Sequence, residues 1–286
     1  MKNLFLRYVR MGALLLLLIN ISCKETNDTI PALSKQDLIN VKYADHSQNN
    51  MDIYLPASRN SLTPVILFIH GGFWSGGDKA MLTELAEYMR DQGYASVNMN
   101  YRLTNTAENN IHPAQVNDIK KVFDFLEANS SNYKISSSAY AIVGASSGAH
   151  LSLLYSYQNN ANNKIKTVVS MAGPTNFSDF RNSNLLQSRV LEGFLGTSFN
   201  ANPNLYIQAS PVTHVSGSSA PTLIFHGKLD AIVPFQQSAE LKTRLDQFNV
   251  SNKLIVYDDL GHEFAGIDKT PDFLNEINSW ISLYLK

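Results

Sequence analysis

From residue 64 onward the chain alternates between short apolar runs and longer amphipathic stretches. That alternation narrows the possible fold more than any other feature. "PVILFIHGG" (64–72) is a continuous apolar run ending in glycine, as a strand buried on both faces would be. The stretch 79–93 reads as helix with Gly93 at its C-cap, 94–103 as strand, and 112–130 as an amphipathic helix opening at Pro113. Strand 139–145, helix 147–157, strand 165–173, strand 221–227, helix 235–248, strand 252–258 and helix 271–284 complete the series. This order predicts an α/β fold with a mostly parallel central sheet and helices on both faces. Ahead of it, "VKYAD" and "MDIYLP" read as two edge strands of period-two character. The stretch 174–216 shows no clear period and is too long for a plain loop, so it reads as a small lid or cap segment over one end of the sheet.

Composition matters at two points. Lys plus Arg total 23 against 24 Asp plus Glu, which gives no electrostatic reason to expect a nucleic-acid partner. The chain has a single cysteine, Cys23, so no intramolecular disulfide can form. That cysteine stands after a basic start (Lys2, Arg7, Arg10) and the apolar run "MGALLLLLINIS" (11–22), too short for a comfortable membrane span. The pattern resembles a bacterial lipoprotein signal, with Ser22 before the cysteine as that pattern prefers and Asn20 where it favours Leu. The resemblance implies removal of residues 1–22, a lipid on Cys23, export, and attachment to a membrane of the cell envelope. A secretory signal leading to a periplasmic or secreted protein is the alternative. Residues 23–39 read as a polar tether and 40–286 as the folded domain.

Open α/β sheets bind ligands beyond the carboxyl ends of their strands, so a real site must draw on several strand ends. "GASSG" (144–148) lies where strand 139–145 gives way to a helix. Gly144-x-Ser146-x-Gly148 is the nucleophile-elbow pattern, in which a sharp turn holds the serine clear of the sheet and tolerates no side chain two places before or after it. Taken alone, the pattern serves a plain strand-to-helix turn equally well. A serine nucleophile needs a base, and His262 in "DDLGHEF" follows the last strand. His70 and His226 also end strands, but read better as loop-orienting residues. His150 rides on the helix after Ser146 and reads as a residue that supports the site from behind or packs beneath it rather than as a base, while His46, His112 and His214 read as loop or surface residues. Asp230, just past strand 221–227, is the expected orienting carboxylate, ahead of Asp258 and Asp259 on the histidine's own loop. An oxyanion hole needs backbone donors: Ser147 N–H is one, and "HGGFW" (70–74) can supply the other through Gly72 or Phe73. Trp74 and Phe177 are candidate substrate contacts, although aromatics in such places are more often core. Arg102 and Asp118 read either as a structural pair under the site or as ordinary surface. No Cys/His cluster has metal-ligand spacing, so neither metal nor organic cofactor is expected.

With those pieces in order, the stretches "HGGFWSGGDK", "VNMNYRL", "HPAQVNDIKKVFDFL", "VGASSGAHL", "ASPVTHV", "HGKLDAIVP" and "GHEF" resemble the α/β-hydrolases of the esterase/lipase group. Within that group the likeness is to the bifunctional feruloyl/acetyl-xylan-esterase-like family, and it runs from about residue 40 to the C-terminus. It implies Ser146, Asp230 and His262 as a triad that cleaves carboxylic esters through an acyl-enzyme, with acetyl or feruloyl esters of carbohydrates, or small esters, as substrates. The chain departs from the family where Phe73 replaces a third glycine and where Ser147-Gly148-Ala149 follows the nucleophile. A backbone donor survives either change. Two other readings share the scaffold: a peptidase or amidase like the prolyl-oligopeptidase or formamidase relatives, and a non-catalytic envelope binding protein.

Overall fold

The computed structural model describes residues 33–182, 184–262 and 270–286. These belong to one unit spanning Ala32–Lys286. Residues 1–22, Cys23 and the start of the tether lie outside the described residues. Eight strands form one sheet: β1 (Gln36–Lys42), β2 (Asn50–Leu55), β3 (Val65–Ile69), β4 (Ala95–Met99), β5 (Tyr140–Ala145), β6 (Ile165–Met171), β7 (Thr222–Gly227) and β8 (Asn252–Tyr257). Their order is β1-β2-β4-β3-β5-β6-β7-β8. β1 and β2 run antiparallel to each other, β2 runs antiparallel to β4, and the other pairings are parallel.

Two sequence expectations shift here. The tether is shorter than residues 23–39, because Gln36, Asp37 and Leu38 already pair with Leu55, Tyr54 and Ile53. β2 is no edge strand: it sits between β1 and β4 and is buried from Met51 to Leu55. The alternating pattern of "MDIYLP" marks two differently packed faces, and burial of both leaves only β1 at that edge.

The parallel strands feed two separate cores, as their pleat requires. Val65, Leu67 and Ile69 of β3 point into a core with α2 (Ala114–Tyr133), α3 (Ser147–Gln158) and α7 (Gln236–Gln247). Ile66 and Phe68 point the other way, toward α1 (Thr83–Asp91) and α8 (Pro271–Tyr284). Arg102 forks onto Asp118 at 2.8–3.1 Å, and the Asp118 side chain is fully buried. The pair is therefore structural, fastening the end of β4 to α2.

The 174–216 segment is helical, contrary to its reading as aperiodic. It folds as α4 (Phe177–Phe180), α5 (Leu185–Leu195), α6 (Pro203–Gln208) and a 3₁₀ turn (Pro211–His214). Asparagines set its starts: the Oδ1 atoms of Asn176, Asn184 and Asn202 each accept a backbone N–H of the first helical turn. The buried face of α5 is Gln187, Leu191, Phe194 and Leu195, a helical spacing. This cap segment shares its apolar core with α2 and α3.

Candidate active site

Four loops at the carboxyl ends of β3, β5, β7 and β8 supply the site. At the end of β5, Ser146 is held at φ 53° and ψ −120°, a conformation a non-glycine residue adopts only under constraint. The flanking glycines are the constraint. A Cβ on Gly148 would run into the carbonyl oxygens of Ile69 and His70, so α3 starts hard against the end of β3. A Cβ on Gly144 would strike the Gly148 carbonyl and Ser152 Oγ. Ser146 N–H donates to the Met171 carbonyl at 2.7 Å, tying the turn to β6. The serine hydroxyl caps no helix N–H and is left for another partner.

That partner is His262. Its Nε2 lies 2.9 Å from Ser146 Oγ, and its Nδ1 lies 2.7 Å from Asp230 Oδ2. A carboxylate oxygen accepts only, so the proton sits on Nδ1 and Nε2 is free to receive the serine proton. The other Asp230 oxygen accepts the N–H groups of Ile232 at 2.9 Å and Val233 at 2.8 Å. Burial works to raise the Asp230 pKa, but hydrogen bonds from His226 and His262, the His262 charge and the Val233 N–H outweigh it. The carboxyl stays well below the usual carboxylate range. The alternatives on the histidine loop play no such part: Asp258 instead faces Lys228 at 3.0 Å on the surface.

His226 is closer to the chemistry than its reading as a loop-orienting residue suggested. Its ring is buried at the end of β7, with Ser238 Oγ 2.6 Å from Nδ1 and the Val233 carbonyl 2.8 Å from Nε2. The same Nε2 is 3.3 Å from Asp230 Oδ2. Its place in "FHGKLD", four residues before the aspartate, is the sequence signal that could have found it.

The loop after β3 closes the site from the other side. A Cβ on Gly71 would sit 3.1 Å from both Ser146 Cβ and the Ala145 carbonyl, so a side chain there would crowd the serine. Gly72, Phe73 and Trp74 then take three consecutive left-handed conformations, with φ of 117°, 56° and 60°. Among the described residues, the N–H groups of Gly72, Phe73 and Ser147 have no hydrogen-bond acceptor. Each is therefore available to a developing oxyanion. The far end of this loop is fastened by residues that sequence reading had not singled out. Asn100 bridges the Lys79 N–H (2.6 Å) and Asp78 Oδ2 (2.7 Å), and Lys79 Nζ is buried against both Asp52 oxygens at 2.8 and 2.9 Å. Asn100 lies in "VNMNYRL" and Asp78 and Lys79 in "GGDK", so those stretches serve the loop.

Two further expectations are corrected. Trp74 and Phe177 are no substrate contacts: they are 1% and 0% exposed, and pack on each other and on Phe194. His112 stands half-buried in the turn ahead of α2, as a loop residue should. It lies against Phe194, and burial pushes its pKa down to about 4. His150 is fully buried, as a packing residue should be. Among the described residues no group of His, Cys, Asp and Glu could hold a metal ion.

The BD-FAE family model matches residues 51–245. Among curated proteins, the probable carboxylic ester hydrolase LipM of Mycobacterium tuberculosis is 28% identical over 77% of this chain and 54% of its own length. The isoprenylcysteine alpha-carbonyl methylesterase ICME of Arabidopsis thaliana is 24% identical over 80% of this chain and 57% of its own. The chain thus spans about half the length of the curated relatives it matches. Among solved structures, a truncated carbohydrate esterase from gut microbiota superposes with a TM-score of 0.76 at 26% identity, covering 87% of this chain and 95% of that one. An acetyl ester-xyloside bifunctional hydrolase from Caldicellulosiruptor lactoaceticus shares the fold, with a TM-score of 0.70 at 17% identity over 85% of this chain and 95% of its own.

Proposed function

Because the chain belongs to the BD-FAE family of α/β-hydrolases, we propose that it is a serine hydrolase of carboxylic esters. The observation that carries this reading is the unbroken line Ser146 Oγ–His262 Nε2, His262 Nδ1–Asp230 Oδ2, at 2.9 and 2.7 Å. His262 takes the Ser146 proton as Oγ attacks the ester carbonyl, and Asp230 steadies the imidazolium that forms. The carbonyl oxygen gains negative charge and is met by the N–H groups of Ser147 and of Gly72 or Phe73. His262 then protonates the departing alcohol. Water, activated by the same nitrogen, releases the acid from Ser146.

The acyl groups are those of carbohydrate esters, acetyl or feruloyl, or of small esters. The likeness to a carbohydrate esterase supports this substrate class. The test is hydrolysis of acetylated xylan, feruloyl esters and short p-nitrophenyl esters by the wild type and by Ser146→Ala. Turnover of the small esters alone removes the carbohydrate reading. Preferential turnover of amides moves the protein to the amidase reading.

Location is part of the same proposal. The basic start, the apolar run 11–22 and Cys23 after Ser22 support export and lipid attachment at Cys23. No helix among the described residues is long and apolar enough to cross a membrane. Metabolic labelling with a fatty acid in the native cell tests the anchor: label that persists in Cys23→Ser contradicts it.

A further inference from the structure

His150 follows Ser146 by one helical turn, yet the proton chemistry has no use for it. Its Nδ1 accepts the Trp74 Nε1–H at 3.2 Å, and its Nε2 stands 2.7 Å from the Ala209 carbonyl. An indole N–H can only donate and a carbonyl can only accept, so the ring is held as the neutral Nε2–H tautomer. Burial acts in the same direction, pushing its pKa down to about 3. Phe177 stacks on it at 4.5 Å, and Trp74 and Phe194 meet it edge-on at 5.2 and 5.7 Å.

Three parts of the molecule join at this one ring: the helix that begins at the candidate nucleophile, the 70–74 loop, and the residue that closes α6 in the cap. The loop needs such an anchor, because two non-glycine residues in succession, Phe73 and Trp74, are left-handed. Its backbone is held at Trp74 by the Thr104 N–H, which reaches the Trp74 carbonyl at 2.8 Å. The side chain of Trp74 is held by His150.

We propose that His150 is a positioning residue: by fixing Trp74 against the cap it sets the neighbouring Phe73 N–H for the oxyanion. The inference rests on the serine hydrolase reading above. Its test compares p-nitrophenyl acetate kinetics, and the rate of fluorophosphonate labelling, across four variants of the full chain. His150→Phe keeps the ring stack and loses both hydrogen bonds. Trp74→Phe loses the donor and the second ring of the indole but keeps an aromatic ring in the stack. Each is expected to lower kcat about tenfold with KM within about threefold, the pattern of a contact made in the transition state. The double variant should be no slower than the worse single, because both break one link. His150→Gln can accept from Trp74 and donate to Ala209, and should recover to within about threefold of wild type. Wild-type kcat in a folded His150→Phe or Trp74→Phe overturns the proposal. So does a change confined to KM, a double variant whose losses multiply, or a Gln variant no better than Phe. If His150→Phe does not fold, Trp74→Phe and the Gln variant decide. A wild type that takes neither substrate nor label overturns the hydrolase reading and this inference together, whereas a labelled wild type with unaffected variants overturns only the inference.

Discussion

His226 Nε2 stands 3.3 Å from Asp230 Oδ2, the oxygen that also receives the His262 Nδ1–H at 2.7 Å. The carboxylate therefore lies between two imidazoles, one open to the nucleophile and one sealed in the core. His226→Phe removes the inner one and leaves Ser238 and the Val233 carbonyl without that partner. Stability should fall by roughly 1–3 kcal/mol, the cost of buried polar groups left unpaired. kcat should fall by about tenfold as the Asp230 turn loosens, a loss on the scale of 1.4 kcal/mol. Thermal melts and ester kinetics on the same preparation check both; an unchanged melt would remove His226 from the account of this turn.

Strain at Ser146 gives a second prediction. Its φ of 53° is costly for a side chain and free for glycine. Ser146→Gly should be inactive and yet about 1 kcal/mol more stable than wild type. Chemical denaturation measures the difference. Equal or lower stability would mean that the turn stores no strain.

The glycines beside the serine should differ in what they tolerate. Gly148→Ala puts a Cβ into the carbonyls of Ile69, the last residue of β3, and of His70 just after it, backbone that cannot move aside. That variant should lose several kcal/mol and fail to accumulate as folded protein. Gly71→Ala meets Ser146 Cβ and the Ala145 carbonyl at 3.1 Å, a crowding that small shifts relieve. It should fold and lose activity, because the shift falls on the nucleophile and the oxyanion loop. Expression yield and circular dichroism separate the two cases.

Buried histidines set the acid limit of stability. His112 and His150 have folded pKa values of about 4 and about 3, below the unfolded value near 6.5. As pH falls below that unfolded value the unfolded chain takes up protons that the folded chain refuses, so stability declines. By pH 5 the loss is roughly 2 kcal/mol for each ring. Asp230 adds to it further down, since its depressed carboxyl contributes stability above the unfolded carboxylate range and loses it as pH drops through that range. Melting temperatures from pH 7.5 to 4.5 should fall steadily in wild type and less steeply in His150→Gln. Parallel curves would contradict the role given to His150.

The parts of this protein that read directly from sequence are those whose physics is local. Val65–Ile69 is apolar at every position because both sheet faces are covered, and Gly144 and Gly148 are glycines because neighbouring backbone occupies the Cβ positions. Chain order alone then placed Ser146, Asp230 and His262 at separate strand ends. What did not read was long-range. In sequence, Trp74 and Phe177 read as core or as substrate contacts. Only the fold shows them packed with Phe194 beneath the loop. His112 reads as loop and is one, but nothing nearby in sequence announces Phe194 as its neighbour. The cap helices were hidden by their shortness, four residues in α4 and six in α6, although Asn176, Asn184 and Asn202 stood at their starts as caps.

The role of Ser146 as nucleophile, activated through His262 by Asp230, underlies every step above. Its most direct test is fluorophosphonate labelling of the intact protein, followed by peptide mass spectrometry, in wild type, Ser146→Ala and His262→Ala. The expected result is a single adduct on the peptide carrying Ser146, none in Ser146→Ala, and labelling slowed by on the order of a thousandfold or more in His262→Ala. An adduct on another residue, or labelling at the wild-type rate without His262, would contradict it.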